Sequence, residues 1–130
     1  MASIFTKIVN EEIPSFKIAE SEKFLAFLDV NPLAIGHTLV IPKTEVDYIF
    51  DIDNELYVEF MLFAKIVAQK LKKAFPACKK IGVAVVGIEV PHAHIHLIPI
   101  NQVSDMNFAN PKMKLSPEEL SKIQSLITNH

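Results

Sequence analysis

The stretch that decides the fold is "HAHIHLIPI", residues 92–100, in which three histidines alternate with apolar residues. The chain has five histidines in 130 residues, and three of them fall within five positions. On a β-strand, alternate side chains share a face, so His92, His94 and His96 project together while the residues between them point the other way. We therefore interpret the stretch as a strand with one histidine face and one core face.

Three interpretations of the histidine face follow from the residue types alone. The first is a solvated polar face of an edge strand, although three imidazoles in register crowd their donors and repel one another once protonated. The second is a zinc site, because histidine is the commonest protein ligand for zinc and three histidines can form an open catalytic site. The third is catalysis by imidazole itself, with one ring as nucleophile and its neighbours as orienting groups and donors.

The residues before the long apolar segment predict a short helix and three strands. Ser3 is a suitable N-cap for a helix that ends near Asn10. Residues 16–20 and 24–29 have the pattern of a hairpin, and residues 37–42 predict a third strand.

Residues 54–75 change to helical spacing, and Pro76 ends this helix. Its broad apolar stripe suggests a helix that packs on a sheet and also on a partner subunit, and the same pattern is equally typical of a helix that is simply well buried in the core. Residues 81–90, "IGVAVVGIEV", have β-branched residues at both parities, which predicts a strand that is covered on both faces.

The tail predicts a loop followed by a C-terminal helix. Ser116 and Glu119 form a capping box, with Pro117 at the first helical position. About five strands with helices set apart from them along the chain indicate an α+β fold rather than alternating βαβ units.

Composition limits the class of protein. A chain of 130 residues, half of them hydrophobic, suits one globular domain spanning residues 1–130. A formal net charge of −2 gives no global attraction to nucleic acid or to an anionic membrane. The single cysteine, Cys78, excludes an internal disulfide and a two-cysteine metal site. With no secretory signal at the start and no stretch of about 20 apolar residues, we expect a cytoplasmic protein.

The segment "HAHIHLI" matches the pattern His-φ-His-φ-His-φ-φ, the signature of the histidine triad (HIT) superfamily. Residues 4–43, "IFTKIVNEEIPSFKIAESEKFLAFLDVNPLAIGHTLVIPK", resemble the amino-terminal half of its Hint branch. The resemblance covers about residues 3–100 and leaves residues 101–130 as a loop and C-terminal helix. It implies a five-stranded antiparallel sheet with one long packing helix and short terminal helices. It also implies a homodimer that pairs a strand and the apolar helix across a two-fold axis.

The resemblance implies a phosphoramidase-like nucleotide hydrolase or transferase that acts without a cofactor at the α-phosphate of a purine nucleoside 5'-monophosphate derivative. His94 matches the nucleophile, which forms a nucleotidyl-histidine that water then hydrolyses. His96 matches the residue that contacts the phosphoryl oxygens or the bridging atom and helps protonate the leaving group. His92 orients its neighbours, and His37 matches a further histidine near the phosphate.

The resemblance also assigns a nucleoside pocket to the first half of the chain. Asp29 matches the acidic residue that accepts the ribose hydroxyls, since a carboxylate can take both hydroxyl protons. The base is held by apolar residues that without the resemblance would be interpreted as ordinary core, namely Phe5, Ile8, Phe27, Leu28 and Val30.

Two departures from the family pattern bear on the chemistry. The loop before the triad is shorter, with Gly87 near the place of an asparagine and Glu89 near that of a serine. We hypothesise that Glu89 shifts preference towards amine-bearing leaving groups or lies just outside the phosphate site. Ser3 and Thr6 stand where some relatives have zinc-binding cysteines, so we expect no metal at that position.

Three alternatives stay open beside the phosphoramidase. One is a dinucleoside polyphosphate hydrolase, which leaving-group profiling would distinguish. The second is a nucleotide-binding module with little turnover, because hydroxyl and amide donors have been lost before the triad. The third is a zinc protein built on the three histidines.

Overall fold

The computed structural model describes residues 2–130, and at its centre is a five-stranded sheet in which every neighbouring pair is antiparallel. The strands lie in the order β1-β2-β3-β5-β4. Their bounds are Lys17–Glu20 (β1), Phe24–Leu28 (β2), Thr38–Pro42 (β3), Lys80–Ala84 (β4) and Ile95–Ile100 (β5). The predicted fold class is confirmed.

Three α-helices accompany the sheet, and each begins at an N-cap whose side chain accepts a backbone N–H. They are α1 (Ile4–Val9), α2 (Asn54–Ala74) and α3 (Pro117–Thr128). The caps are Ser3, Asp53 and Ser116, of which the last forms the predicted capping box. Capping satisfies backbone donors that have no partner inside the helix, which explains why these starts follow from local sequence.

The main core lies on the face of the sheet that α2 and α3 cover. Phe60, Val67 and Leu71 of α2 are completely buried there. Leu120 and Ile127 of α3 join the same cluster. The C-terminal helix therefore stabilises the helix-covered face of the sheet.

The opposite face is only partly covered, by α1. Phe5 and Ile8 pack in a smaller cluster with residues of β2 and β3, including Phe27 and Leu39. His96 is the cross-strand partner of Leu39, so it projects from this same face. The uncovered part of the face beside α1 holds the histidines.

The strand predicted for residues 81–90 differs from the observed one. β4 ends at Ala84 and lies at the edge of the sheet, and its burial pattern is largely exposed or intermediate. Val83 is 56% exposed and Ile88 is 84% exposed. The prediction of a strand covered on both faces is therefore wrong for the single chain. β-branched residues at both parities occur here on an edge strand and its following loop: Ile81 packs against the main core, whereas Val83 and the valines that follow are largely exposed.

Among residues 2–130, no helix combines the length and the apolarity that crossing a bilayer requires.

Candidate active site

His94 lies at the entrance to β5 and presents one nitrogen for chemistry. Its Nδ1 donates to the backbone carbonyl of His92 at 2.8 Å. In the neutral ring, Nε2 then carries the lone pair, and no residue within 2–130 hydrogen-bonds to it. The ring of Phe5 packs edge-on against the imidazole, with centroids 5.0 Å apart. The ring is thus fixed in orientation, and its nucleophilic nitrogen is unpaired.

His92 is completely buried and holds the carbonyl on which His94 depends. Its Nε2 donates to the carbonyl of Pro42 at 2.8 Å, so its Nδ1 accepts from the hydroxyl of Ser3 at 2.8 Å. Ser3 Oγ in turn accepts from the backbone N–H of Thr6 at 3.0 Å. Burial lowers the pKa of His92, which keeps the ring neutral. The side chain of His92 therefore acts as an anchor in the interior.

A second chain of hydrogen bonds determines the proton position on His96. The backbone N–H of Leu33 donates to His37 Nδ1 at 3.0 Å, so His37 carries its proton on Nε2. That Nε2–H donates to His96 Nδ1 at 2.9 Å. His96 must therefore carry its own proton on Nε2. The centroids of the His94 and His96 rings are 4.9 Å apart, so a lone pair and an N–H donor lie side by side.

Burial keeps His37 and His96 neutral. It lowers the pKa of His37 to about 3 and that of His96 to about 4, and neighbouring positive charges act in the same direction. Each ring would have to give up its present hydrogen-bond pattern to accept a proton. At pH 7 His37 and His96 are therefore neutral imidazoles with defined tautomers.

Asp29 follows β2 and lies against this pair. One carboxylate oxygen accepts from the backbone N–H of Asn31 at 2.9 Å, and the other is 3.7 Å from His37 Nε2. Burial raises the pKa of Asp29, since removal from water disfavours the charged form. The side chain is 23% exposed, so a ligand can reach the carboxylate.

The group of residues within 2–130 whose ligand atoms could converge on a cation is Asp29, His37 and His96, with all three atoms within 4.8 Å of one another. It is not the three alternating histidines. The 2.9 Å between His37 Nε2 and His96 Nδ1 is a hydrogen bond. Two nitrogens bound at 2.0–2.1 Å to a tetrahedral zinc would be about 3.3 Å apart. The donor set as built is therefore arranged to share a proton rather than to hold an ion.

The structure brings some of the predicted base-binding residues to the site but not all of them. Phe5 and Phe27 contact each other at 5.5 Å beside His94, and Ile8 lies in the same cluster. Leu28 belongs to the core on the opposite, helix-covered face, so the prediction that its side chain lines the site is wrong. Neighbouring side chains on a strand alternate, and this alternation separates Phe27 from Leu28.

Two predicted residues lie on exposed loops. Val30 follows Asp29 and is half exposed. Glu89 is exposed, and its negative charge contributes to raising the pKa of Asp29, so it is within electrostatic range of the site.

His37 has a different place from the one expected. Its side chain is 1% exposed and lies behind His96. It therefore has no open path to a phosphate, and its contact with the chemistry runs through His96.

Two further parts of the site were not found from the sequence. Glu45 accepts from the backbone N–H of Ser3 and the hydroxyl of Thr6, both at 2.6 Å, and so holds the start of α1 against His92. Phe108 packs edge-on against His96, with centroids 4.8 Å apart. Both are contacts between residues far apart in the chain, and no local pattern marks them.

The sequence matches the profile of the HIT domain over residues 10–103. It is 41% identical over 98 residues to the adenosine 5'-monophosphoramidase HNT1 of Saccharomyces cerevisiae, covering 75% of this chain and 62% of that protein. It is 31% identical over 130 residues to the adenosine 5'-monophosphoramidase hnt1 of Schizosaccharomyces pombe, covering 99% of this chain and 98% of that protein. Its fold is similar to the crystal structure of a Hit-like protein involved in cell-cycle regulation from Bartonella henselae. That structure has a TM-score of 0.84 and 31% identity, and the match covers 98% of this chain and 94% of that one.

Proposed function

This chain belongs to the HIT domain family of nucleotide-processing hydrolases, and we propose that it hydrolyses purine nucleoside 5'-phosphoramidates through a covalent intermediate on His94. The observation that carries the proposal is the tautomer of that ring. Its Nδ1–H is bound to the carbonyl of His92, which leaves Nε2 unprotonated next to the N–H donor of His96. The similarity to two adenosine 5'-monophosphoramidases supports the choice of substrate class.

In the first step the lone pair of His94 Nε2 attacks phosphorus, and the bond from phosphorus to the leaving nitrogen breaks. The leaving nitrogen takes up one proton and departs as a neutral amine. The adduct is a phosphorylated imidazolium whose Nδ1–H keeps its bond to the carbonyl of His92. That carbonyl stabilises the positive charge as it develops.

The His96 Nε2–H donates a hydrogen bond to a phosphoryl oxygen or to the leaving atom. A pKa of about 4 and an Nδ1 that already accepts from His37 make His96 a neutral donor. The resemblance implies that His96 helps to protonate the leaving group, whereas this proposal gives His96 only the role of a hydrogen-bond donor. His96 polarises the bond, and the proton itself comes from solvent.

In the second step a water molecule attacks phosphorus, and the bond to Nε2 breaks with its electron pair returning to the ring. The water loses one proton to solvent, so the proton taken up in the first step is returned. The products are a nucleoside 5'-monophosphate and a free His94. The phosphorylated imidazolium releases neutral imidazole, which is a good leaving group at neutral pH, and this makes the second step accessible.

We assign the ribose to Asp29 and one face of the base to Phe5 and Phe27. The carboxylate is partly exposed and its Oδ2 is 3.7 Å from His37 Nε2, so a ribose bound to it would lie beside His37 and His96. The aromatic pair is adjacent to His94. Apolar contact of this kind tolerates different bases.

The test is turnover of adenosine phosphoramidate by wild type and His94→Ala, with mass spectrometry after a rapid quench. We expect the variant to lose at least about a thousandfold in kcat, and the wild type to show an adenylyl adduct that maps to His94. His130→Ala serves as control because this residue is exposed at the C terminus. Turnover that persists in His94→Ala would contradict the mechanism. Binding without adduct or product would favour a nucleotide-binding module.

We further propose a homodimer formed through the edge strand and α2. Both expose apolar side chains that nothing in the single chain covers, including Val83 on β4 and Leu62 and Ile66 on α2, each more than half exposed. Antiparallel pairing of two β4 edges would extend the sheet across a two-fold axis. Ile66→Glu should shift the sedimentation coefficient to that of a monomer, whereas Ser121→Glu adds the same charge at an exposed position of α3 and should not. A wild-type monomer at micromolar concentration would rule the dimer out.

A further inference from the structure

The segment that follows β5 turns back across the histidines, and we propose that its Lys112 binds the negatively charged part of a leaving group. The enzyme would thereby prefer nucleotides whose leaving group carries a phosphate or carboxylate over those that release ammonia. We call residues 103–113 the cover segment; the match to the family profile ends at its first residue. The proposal rests on the proposed function, because it assigns the leaving-group side of that same site.

The cover segment is fixed at both ends. At its start, Asp105 Oδ2 accepts from the backbone N–H groups of Asn101 and Gln102, at 2.8 and 3.0 Å. At its end, the backbone N–H of Met113 donates to the carbonyl of Pro32 at 2.9 Å. The residue after Pro32 is Leu33, whose backbone N–H donates to His37 Nδ1. The segment therefore bridges the end of β5 and the loop that supports the second histidine chain.

Phe108 is the contact between this segment and the chemistry. Its ring meets His96 edge-on at 4.8 Å and lies 6.5 Å from His37. Lys112 Nζ is 5.9 Å from the centroid of the same ring and donates to the carbonyl of Phe108 at 2.6 Å. The ammonium group of Lys112 is thus held beside Phe108, the residue that packs on His96. In the proposed function the Nε2–H of His96 faces the reacting phosphate.

The charge of Lys112 already acts on the walls of the site. Its positive charge helps to lower the pKa of His37 and His96. At Asp29 the same charge acts against the rise in pKa that burial causes. Glu89 opposes it at Asp29, where a negative charge raises the pKa. Lys112 is exposed, and its flexible stem allows the ammonium group to move from the Phe108 carbonyl to a ligand.

The composition of the chain limits which side chains can bind an anionic leaving group. The chain contains 13 lysines and no arginine, so bidentate arginine recognition of a phosphate or carboxylate is impossible. Only three glycines are present, and no glycine-rich phosphate loop exists. Lysine is therefore the side chain that can offer a permanent positive charge to such a group, and Lys112 lies beside the site.

The experiment compares two phosphoramidates, of which only one has a leaving group that carries a negative charge. One is adenosine phosphoramidate, which releases ammonia, and the other is the adenosine phosphoramidate of glycine, whose leaving group carries a carboxylate. For Lys112→Met we expect the ratio of kcat/KM for the glycine substrate over the ammonia substrate to fall roughly tenfold. Lys112→Arg should restore most of the ratio. Lys114→Met removes an exposed lysine from the same loop and should leave the ratio unchanged.

The outcomes separate this proposal from the one on which it rests. If His94 forms its adduct but Lys112→Met leaves the ratio unchanged, the role of Lys112 is refuted and the hydrolase stands. If wild type forms no adduct with either substrate, the proposed hydrolase is refuted. Calorimetric binding of adenosine 5'-monophosphate and 5'-diphosphate then tests Lys112 alone. Its loss should weaken the diphosphate roughly tenfold more than the monophosphate. An equal effect on both nucleotides, or none, would overturn the assignment, and unchanged urea midpoints establish that the variants are folded.

Discussion

Acidification from pH 7.5 to pH 5 should destabilise the folded chain strongly, because two buried histidines stay neutral in the fold. The pKa of His37 is about 3 and that of His96 about 4, against about 6.5 in an unfolded chain. Below pH 6.5 the unfolded state therefore binds more protons than the folded state. The free energy of unfolding falls as the pH falls, and it levels off only below the folded pKa values.

The magnitude follows from the two pKa differences. Each buried histidine that stays neutral in the folded state lowers the free energy of unfolding by about 1.4 kcal/mol per pH unit. Between pH 7.5 and 5 the two rings together remove about 4 kcal/mol, against a typical total stability of about 5–15 kcal/mol. The lowered pKa of His92 acts in the same direction. The raised pKa of Asp29 acts in the opposite one, because the folded carboxylate takes up its proton first. The series stops at pH 5, above the range in which the carboxyl groups of the unfolded chain titrate.

The assay is urea unfolding followed by circular dichroism from pH 5 to pH 7.5, at one protein concentration because a dimer would make stability depend on concentration. His37→Gln keeps an N–H donor for His96 Nδ1 but cannot titrate, so it should remove about half of the pH dependence. His130→Gln makes the same chemical change at an exposed position and should leave the dependence intact. A wild-type stability that is flat across this range would refute the neutral, buried pair.

Four substitutions test the packing, the glycine turns and a helix cap by thermal and urea unfolding. Phe60→Ala should lower the free energy of unfolding by about 3–5 kcal/mol, since the ring is completely buried under the sheet; a loss under 1 kcal/mol would mean that the core is wrongly assigned. Gly36→Ala should be more damaging than Gly87→Ala: at Gly36 φ is +91° and a Cβ would lie 2.5 Å from the ring of Phe75, whereas at Gly87 φ is +70° in open space. We expect about 1 kcal/mol at Gly87 and several times that at Gly36, and equal effects would contradict the contact. Ser116→Ala should remove about 1 kcal/mol by deleting the N-cap of α3, and an unchanged melting temperature would show that this helix end is already frayed.

The parts of the fold that follow from the sequence are those with a local cause. The start of α2 at Asn54 depends on Asp53 and on apolar spacing, and α3 depends on the capping box at Ser116. The alternation of residues 92–97 is equally local, and it places Ala93 and Ile95 in the core opposite the histidines, as predicted.

The parts that did not follow depend on contacts between distant segments. Whether β-branched residues at both parities are covered depends on what packs on them, and β4 lies at an open edge. The hydrogen bonds from Glu45 to α1 and the packing of Phe108 on His96 join residues at least 12 positions apart. The resemblance placed His37 near the phosphate, but only its bond to His96 shows that it acts from behind.

The direction of the protons in this site is determined by the backbone rather than by the acidity of the rings. One chain begins at the N–H of Leu33 and can end only in an N–H on His96, because each ring between them accepts on one nitrogen and donates from the other. On the other side, the carbonyl of His92 accepts the proton of His94, so the opposite nitrogen can only be a lone pair. The backbone N–H of Leu33 thus leads to an N–H donor on His96, and the backbone carbonyl of His92 leads to a nucleophilic nitrogen on His94. Since burial keeps His37 and His96 neutral, the donor on His96 requires no ionisation near pH 7.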